Sequence, residues 1–159
     1  MYPKLQKKSK VSVGEISGNE GTAEFSNYQV ELPEIKLDFN SEIVNEKRLV
    51  VNFKGGIPDQ LNDVVMKIDY IGDTAMGFMN NDLVADEFYK GIPWEIGLRK
   101  FIRLNQAQKM NFYIRPIYKN APFLVDLEEE SIPSFSTNDF FSEIKNVEFI
   151  PVYKTTISF

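Results

Sequence analysis

The residues from Val64 to Leu98 restrict the fold more than any other stretch. Val64, Met66, Ile68 and Tyr70 alternate with Val65, Lys67, Asp69 and Ile71. Side chains two apart share one face of an extended chain, so the alternation predicts a strand. Gly72-Asp73 then turns the chain. Thr74 to Met79 and Leu83 to Tyr89 flank Asn80-Asn81-Asp82. Asn and Asp tolerate the positive φ of a tight turn, so these two runs read as a β-hairpin. The loop Lys90-Gly-Ile-Pro93 delivers the segment Trp94-Glu-Ile-Gly-Leu98, which holds the chain's single tryptophan. A centre built on a period of two has no 3.6-residue apolar stripe and cannot seed a helical bundle.

The remaining chain carries similar signals. Val11 to Ile16 starts a strand, and Gly18, Asn19 and Gly21 mark a turn. Ala23 to Phe39 alternates in part and is interrupted at Pro33, giving two short strands or one bent edge strand. Asn40-Ser-Glu42 reads as a connection and Ile43 to Phe53 as a strand, followed by a breaker-rich loop over Lys54 to Asp59. Arg99 to Leu104 reads as a helical turn or a strand, with the turn favoured, and Met110 to Tyr118 as a strand with a bulge or exposed edge at Pro116. Phe123 to Leu127 is expected to be a short strand, Glu128 to Glu130 a solvated acidic turn, and residues 131–140 a loop. Asn138 or Asp139 is placed to cap a short helix over Phe140 to Ile144. Val147 to Phe159 closes the chain as a β-rich run.

The resulting fold class is all-β, an antiparallel β-sandwich, with a jelly roll as the specific expectation. Residues 1–10 form a polar, basic tail. Residues 11–159 form one domain, since a domain takes roughly 100–200 residues.

Composition narrows the chemistry. The chain has no histidine and no cysteine. A Ser-His-Asp triad, a Cys-His dyad, a thiolate zinc site and a zincin motif are therefore impossible within it. Asp69, Asp73, Asp82, Asp86, Glu87 and Glu95 are the acid–base groups of the central stretch. Two carboxylates facing one cleft would make a glycosidase pair, but nothing in this spacing requires it. A formal net charge of -5 lacks the broad basic surface of a nucleic-acid binder, so no nucleic-acid partner is expected. No run approaches the ~18 apolar residues of a membrane span. The basic start Met1-Tyr-Pro-Lys-Leu-Gln-Lys-Lys-Ser-Lys10 is not followed by the apolar run of a signal peptide. Gly55-Gly56 lacks the Gly-Lys-Ser/Thr continuation of a phosphate loop.

Two ligand classes fit the residues that remain. A sugar offers CH faces and paired hydroxyls, and Trp94 and Tyr89 beside Asp86, Glu95 and Arg99 supply an aromatic surface with polar neighbours. The competing reading has Trp94 plugging the sandwich core. No cofactor is expected, and the one metal suited to oxygen-bearing turns is a structural calcium, with Asp73 and Asp82 as candidate ligands.

The segments Tyr70-Ile-Gly-Asp-Thr-Ala-Met-Gly-Phe-Met79, Asn81-Asp-Leu-Val-Ala-Asp-Glu-Phe-Tyr89 and Gly91-Ile-Pro-Trp-Glu-Ile-Gly-Leu98 resemble a motif in bacterial β-galactosidase-like proteins of, or near, glycoside hydrolase family 35. There it lies in a C-terminal accessory β-sandwich of the galactose-binding-like kind. The similarity covers residues 64–127, including Phe112-Tyr-Ile-Arg-Pro-Ile-Tyr118, and extends more faintly over Val147 to Tyr153. The family's catalytic module is a (β/α)₈ barrel, which takes about 250 residues and does not fit in this chain. The resemblance thus implies a non-catalytic accessory domain that binds or positions glycan. Its partners would be carbohydrate and the barrel of a parent hydrolase, in a secreted or periplasmic setting. The alternative is a purely structural or protein-interaction sandwich without a ligand. In the motif itself, Gly72 permits a turn, Asp73 is expected to bond its own downstream backbone, Asp86 to tie the loop before Gly91, and Gly97 to allow close approach.

Overall fold

A computed structural model of the chain describes residues 10–13, 28–32, 34–103 and 106–154. The chain divides into two compact units, Met1–Lys36 and Leu37–Phe159. In the first, strand β1 (Lys10–Val13) pairs antiparallel with β2 (Tyr28–Glu31). The basic tail up to residue 9, the turn at Gly18–Gly21, the break at Pro33 and the end of the C-terminal run lie outside the described residues.

The second unit holds two sheets and a small ribbon. One sheet has the order β3-β4-β9-β6-β7, made of β3 (Phe39–Asn45), β4 (Arg48–Phe53), β6 (Thr74–Met79), β7 (Asp82–Phe88) and β9 (Gln108–Arg115). The other has the order β12-β5-β8, made of β5 (Leu61–Ile71), β8 (Trp94–Gly97) and β12 (Glu143–Tyr153). Strands β10 (Ile117–Tyr118) and β11 (Phe140–Phe141) form the ribbon. Every pairing is antiparallel. The protein is all-β as expected: among the described residues the only helical segments are 3₁₀ turns at Pro122–Asp126 and Glu129–Ser131. Among the described residues no helix is long and apolar enough to cross a membrane.

The period-two pattern explains where the core lies. Leu49, Val51 and Phe53 on β4 and Met110, Phe112 and Ile114 on β9 are buried, while the residues between them are not. Central strand β5 is paired on both edges, and Leu61, Val64, Met66 and Ile68 are wholly buried. Aromatic rings join the two sheets. Trp94 of β8 meets Phe112 of β9 edge-on, with centroids 5.9 Å apart. Phe39 of β3 meets Phe149 of β12 at 5.7 Å.

The expected central hairpin is present. Asn80 and Asn81 make its turn at φ of 49° and 73°, the two positive values of a type I′ turn, whose twist matches that of the strands it joins. Other expectations need correction. Asn40-Ser-Glu42 lies inside β3, and Ile43 to Phe53 is divided between two strands. The chain reverses at Glu46-Lys47, where the Lys47 amide donates to Asn45 Oδ1 at 3.0 Å. Strand β3 is a sheet edge with little burial, so it shows no apolar alternation to read. Phe123 to Leu127 is mostly a 3₁₀ turn, with Pro122 at its start supplying helical φ. The helix expected at Phe140 to Ile144 is replaced by β11 and the start of β12. Phe140 and Phe141 pair with Tyr118 and Ile117, and Ile144 pairs with Tyr70, so long-range pairing overrides the local cap signal. Pro116 divides β9, which pairs with β4 and β6, from β10, which pairs with β11.

The crossing from β5 to β6 takes two residues, Gly72 and Asp73. A Cβ at Gly72 would collide with the Ile114 side chain and lie 2.8 Å from the Arg115 carbonyl oxygen. Because the carbonyl cannot swing aside as a side-chain end can, Gly72→Ala is expected to lower stability by about 1–3 kcal/mol. Urea denaturation should show a lower midpoint with an unchanged slope.

Candidate functional site

The Trp94 segment is organised by the alternation of β8. Trp94 and Ile96 point inward and are buried; Glu95 points the opposite way and is exposed. Adjacent strand residues face opposite sides, so Trp94 and Glu95 cannot converge on one ligand. The indole is 6% exposed and its partner Phe112 only 2%. Space for Phe112 comes from its register partner Gly77, where a Cβ would lie 2.7 Å from the Phe112 ring. One glycine on β6 therefore seats Phe112, and Phe112 seats the tryptophan.

Tyr89 is buried as well. Its ring lies 5.5 Å from that of Tyr70, near-perpendicular at 62°. Its hydroxyl donates to the Ser131 carbonyl at 3.0 Å, and its amide donates to the Asp73 carbonyl at 2.9 Å. The Ser131 hydroxyl in turn donates to the Gly91 carbonyl at 3.1 Å, and Gly91 has φ of +78°. Ser131 thus stitches the loop ahead of Trp94 to the second 3₁₀ turn. This is the task expected of Asp86, which instead sits exposed on β7 opposite Met76.

Arg99 is engaged with the backbone. Its guanidinium donates to the carbonyls of Leu61, at 2.6 Å, and Asn62, while its amide donates to Asp63 Oδ1 at 2.8 Å. Gly97 makes room for that carboxylate: a Cβ there would lie 2.7 Å from Asp63 Oδ2. Glu95 stands across the strand from Lys67. No hydrogen bond or ion pair links any two of Trp94, Tyr89, Asp86, Glu95 and Arg99. Neither ring of the set offers the open face on which a sugar stacks, because both face the core.

The turn carboxylates are also committed or isolated. Asp73 pairs with Arg115, Oδ2 to Nε at 3.2 Å, and its amide donates to the Arg115 carbonyl at 2.8 Å. It binds β9 across the sheet, in place of its own downstream backbone as expected. Asp82 is exposed at the start of β7. Among the described residues no group of three or more acidic side chains is placed to hold a metal ion. The residues that hold this region together and that sequence reading missed are Phe112, Asp63 and Ser131. Each acts on a partner at least 18 residues away in the chain, except for the short Asp63–Val64 contact, so no local spacing reveals them.

Comparisons with protein-family models, with curated proteins and with solved structures return no match to this chain.

Burial raises the hydroxyl pKa of both core tyrosines. For Tyr70 desolvation acts first and the Glu87 carboxylate second; for Tyr89 desolvation acts first and Asp69 second. In the unfolded chain both lose their protons near the ordinary tyrosine value of about 10. Above that pH the folded state holds more protons than the unfolded one, so stability falls as pH rises. Below it the contribution is intact. Urea midpoints are expected to stay level as pH approaches about 10 and to drop beyond it, with a shallower drop in Tyr70→Phe.

Proposed function

We propose that the Leu37–Phe159 unit is a non-catalytic accessory domain of the jelly-roll type. In this reading it resembles the galactose-binding-like sandwich of β-galactosidase-type hydrolases, and it binds or positions glycan beside a catalytic partner. The observation that carries the non-catalytic part is the separation of Asp86 and Glu95, the two acids of the candidate sugar set, onto different sheets. Asp86 and Glu95 stand exposed on strands of different sheets, and Asp73 is tied to Arg115. A glycosidase needs two carboxyl groups about 5–10 Å apart across one cleft. The winding of the chain supports the jelly roll: it passes between the two sheets at β4–β5, β5–β6, β7–β8 and β8–β9. The inward Trp94 supports a structural task for the motif, with glycan held elsewhere on the surface.

The same burial favours a second reading, a structural or protein-interaction domain without a ligand. A glycan panel separates the two. The accessory reading expects binding to at least one polysaccharide, no turnover of chromogenic galactosides, and no effect of Asp86→Asn or Glu95→Gln on either result. Absence of any glycan binding selects the second reading. Turnover lost in those two variants overturns both.

A further inference from the structure

An open groove of about 790 Å³ lies over one end of the five-stranded sheet, and none of the residues Trp94 to Leu98 lines it. Its volume falls in the usual range for small-ligand sites. Its charge runs against that of the chain. The sequence has 18 Lys and Arg against 23 Asp and Glu. Among the described residues the groove is lined by four cations, Lys54, Lys100, Arg103 and Lys109, and one acid, Asp82. All four cations are exposed, and none is in an ion pair with a described residue. Four unneutralised cations around one concavity repel each other and concentrate anions there.

The polar lining is also ordered. Asn40 on β3 pairs with Asn52 on β4, and Asn52 with Lys109 on β9. Paired residues share a sheet face, so these three form a cross-strand row on the side away from the buried Val51 and Met110. Gln108, the preceding residue of β9, points to the opposite face, where it holds the turn after β8, so the groove rounds the end of the sheet and is lined from both faces. Its amide nitrogen donates to the Phe101 carbonyl at 3.2 Å, and its amide oxygen accepts the Arg103 N–H. That bracket sets the positions of Lys100 and Arg103. Gln106 and Asn80 add further amides.

From this arrangement we infer that the groove binds an acidic oligosaccharide, its carboxylates or sulfates on the four cations and its hydroxyls on the row of amides. Amide side chains present a donor and an acceptor side by side, as neighbouring hydroxyls require. A nucleic-acid strand fits less well, because single-stranded binding relies on aromatic stacking platforms. The two rings in the lining do not provide one: Phe53 is fully buried, and Phe101 lies half-buried beneath the Lys100 ammonium, 4.6 Å from its centroid. The inference rests on the glycan-binding reading above and adds the place and the charge of the ligand. The site is not legible in the sequence, because its residues come from β3, β4, β9, the β6–β7 hairpin and the turn after β8, which only the sheet order brings together.

The test titrates the full chain by calorimetry with polygalacturonate, dextran sulfate, neutral galactan and a single-stranded oligodeoxynucleotide. Polygalacturonate or dextran sulfate should bind, and which of them does tells carboxylate from sulfate. Binding should weaken with added salt. The exposed-site variant Lys54→Glu/Lys109→Glu should lose at least tenfold in affinity, and Asn52→Leu, which leaves the charge unchanged, should also weaken it. Lys145→Glu on β12 should leave it unchanged. The groove assignment is overturned if neither acidic polymer binds, if the Lys54/Lys109 variant binds as well as the parent, or if the oligonucleotide competes equally. Galactan binding that ignores these substitutions would overturn the groove while leaving the accessory-domain reading in place. Failure of every glycan would remove both.

Discussion

The contact between Trp94 and Phe112 is where the two sheets of the larger unit depend on each other. Trp94 belongs to the three-stranded sheet and Phe112 to the five-stranded one. An edge-to-face aromatic pair contributes about 0.5–1.5 kcal/mol beyond the area it buries. Its larger consequence is geometric. Phe112 can lie flat only because Gly77 has no side chain, and Trp94 can turn inward only because β8 presents Glu95 to the opposite side. A small change at any of the three positions must be taken up by the other two, since close-packed interiors have little free volume.

The other conspicuous residues of the central stretch support this seam. Gly72 and Asp73 carry the chain directly from one sheet to the other, and Asp73 fastens that crossing to the end of β9 through Arg115. Tyr89 and Ser131 fix the loop that delivers Trp94. Arg99 and Asp63 fix the chain where it leaves β8. A sequence motif dense in Gly, Asp, aromatic and Arg residues invites a functional reading. Here Gly72, Asp73, Tyr89, Trp94 and Arg99 each have a structural partner, and the buried polar groups are satisfied: among the described residues no buried side-chain nitrogen or oxygen lacks a hydrogen bond. That completeness is what a buried polar framework requires to stabilise a fold.

Legibility in the sequence followed burial. Strand β5 and the β6–β7 hairpin were readable because one face is apolar and Asn80-Asn81 is specific turn chemistry. The β3–β4 hairpin was not, because β3 is an exposed edge and its turn residues Glu46 and Lys47 carry no Gly or Pro signal. Phe140 to Ile144 misled for a different reason. Its polar cap residues favour a helix locally, but pairing with Ile117, Tyr118 and Tyr70 decides its conformation. The candidate sugar residues were close in sequence, yet a strand sends neighbours to opposite faces, so Trp94 is buried while Glu95 is exposed. The basic groove collects residues from β3, β4, β9, the β6–β7 hairpin and the turn after β8, a convergence visible only once the sheet order is known.

The central claim is that the tryptophan motif builds the fold and leaves ligand recognition to another surface. Acrylamide quenching of the single tryptophan in the native protein, with and without saturating polysaccharide, tests it most directly. The account predicts blue-shifted emission that quenches weakly and changes little when glycan is added. Red-shifted emission that quenches freely in the native state, and that a sugar protects, would place Trp94 at the surface and contradict it.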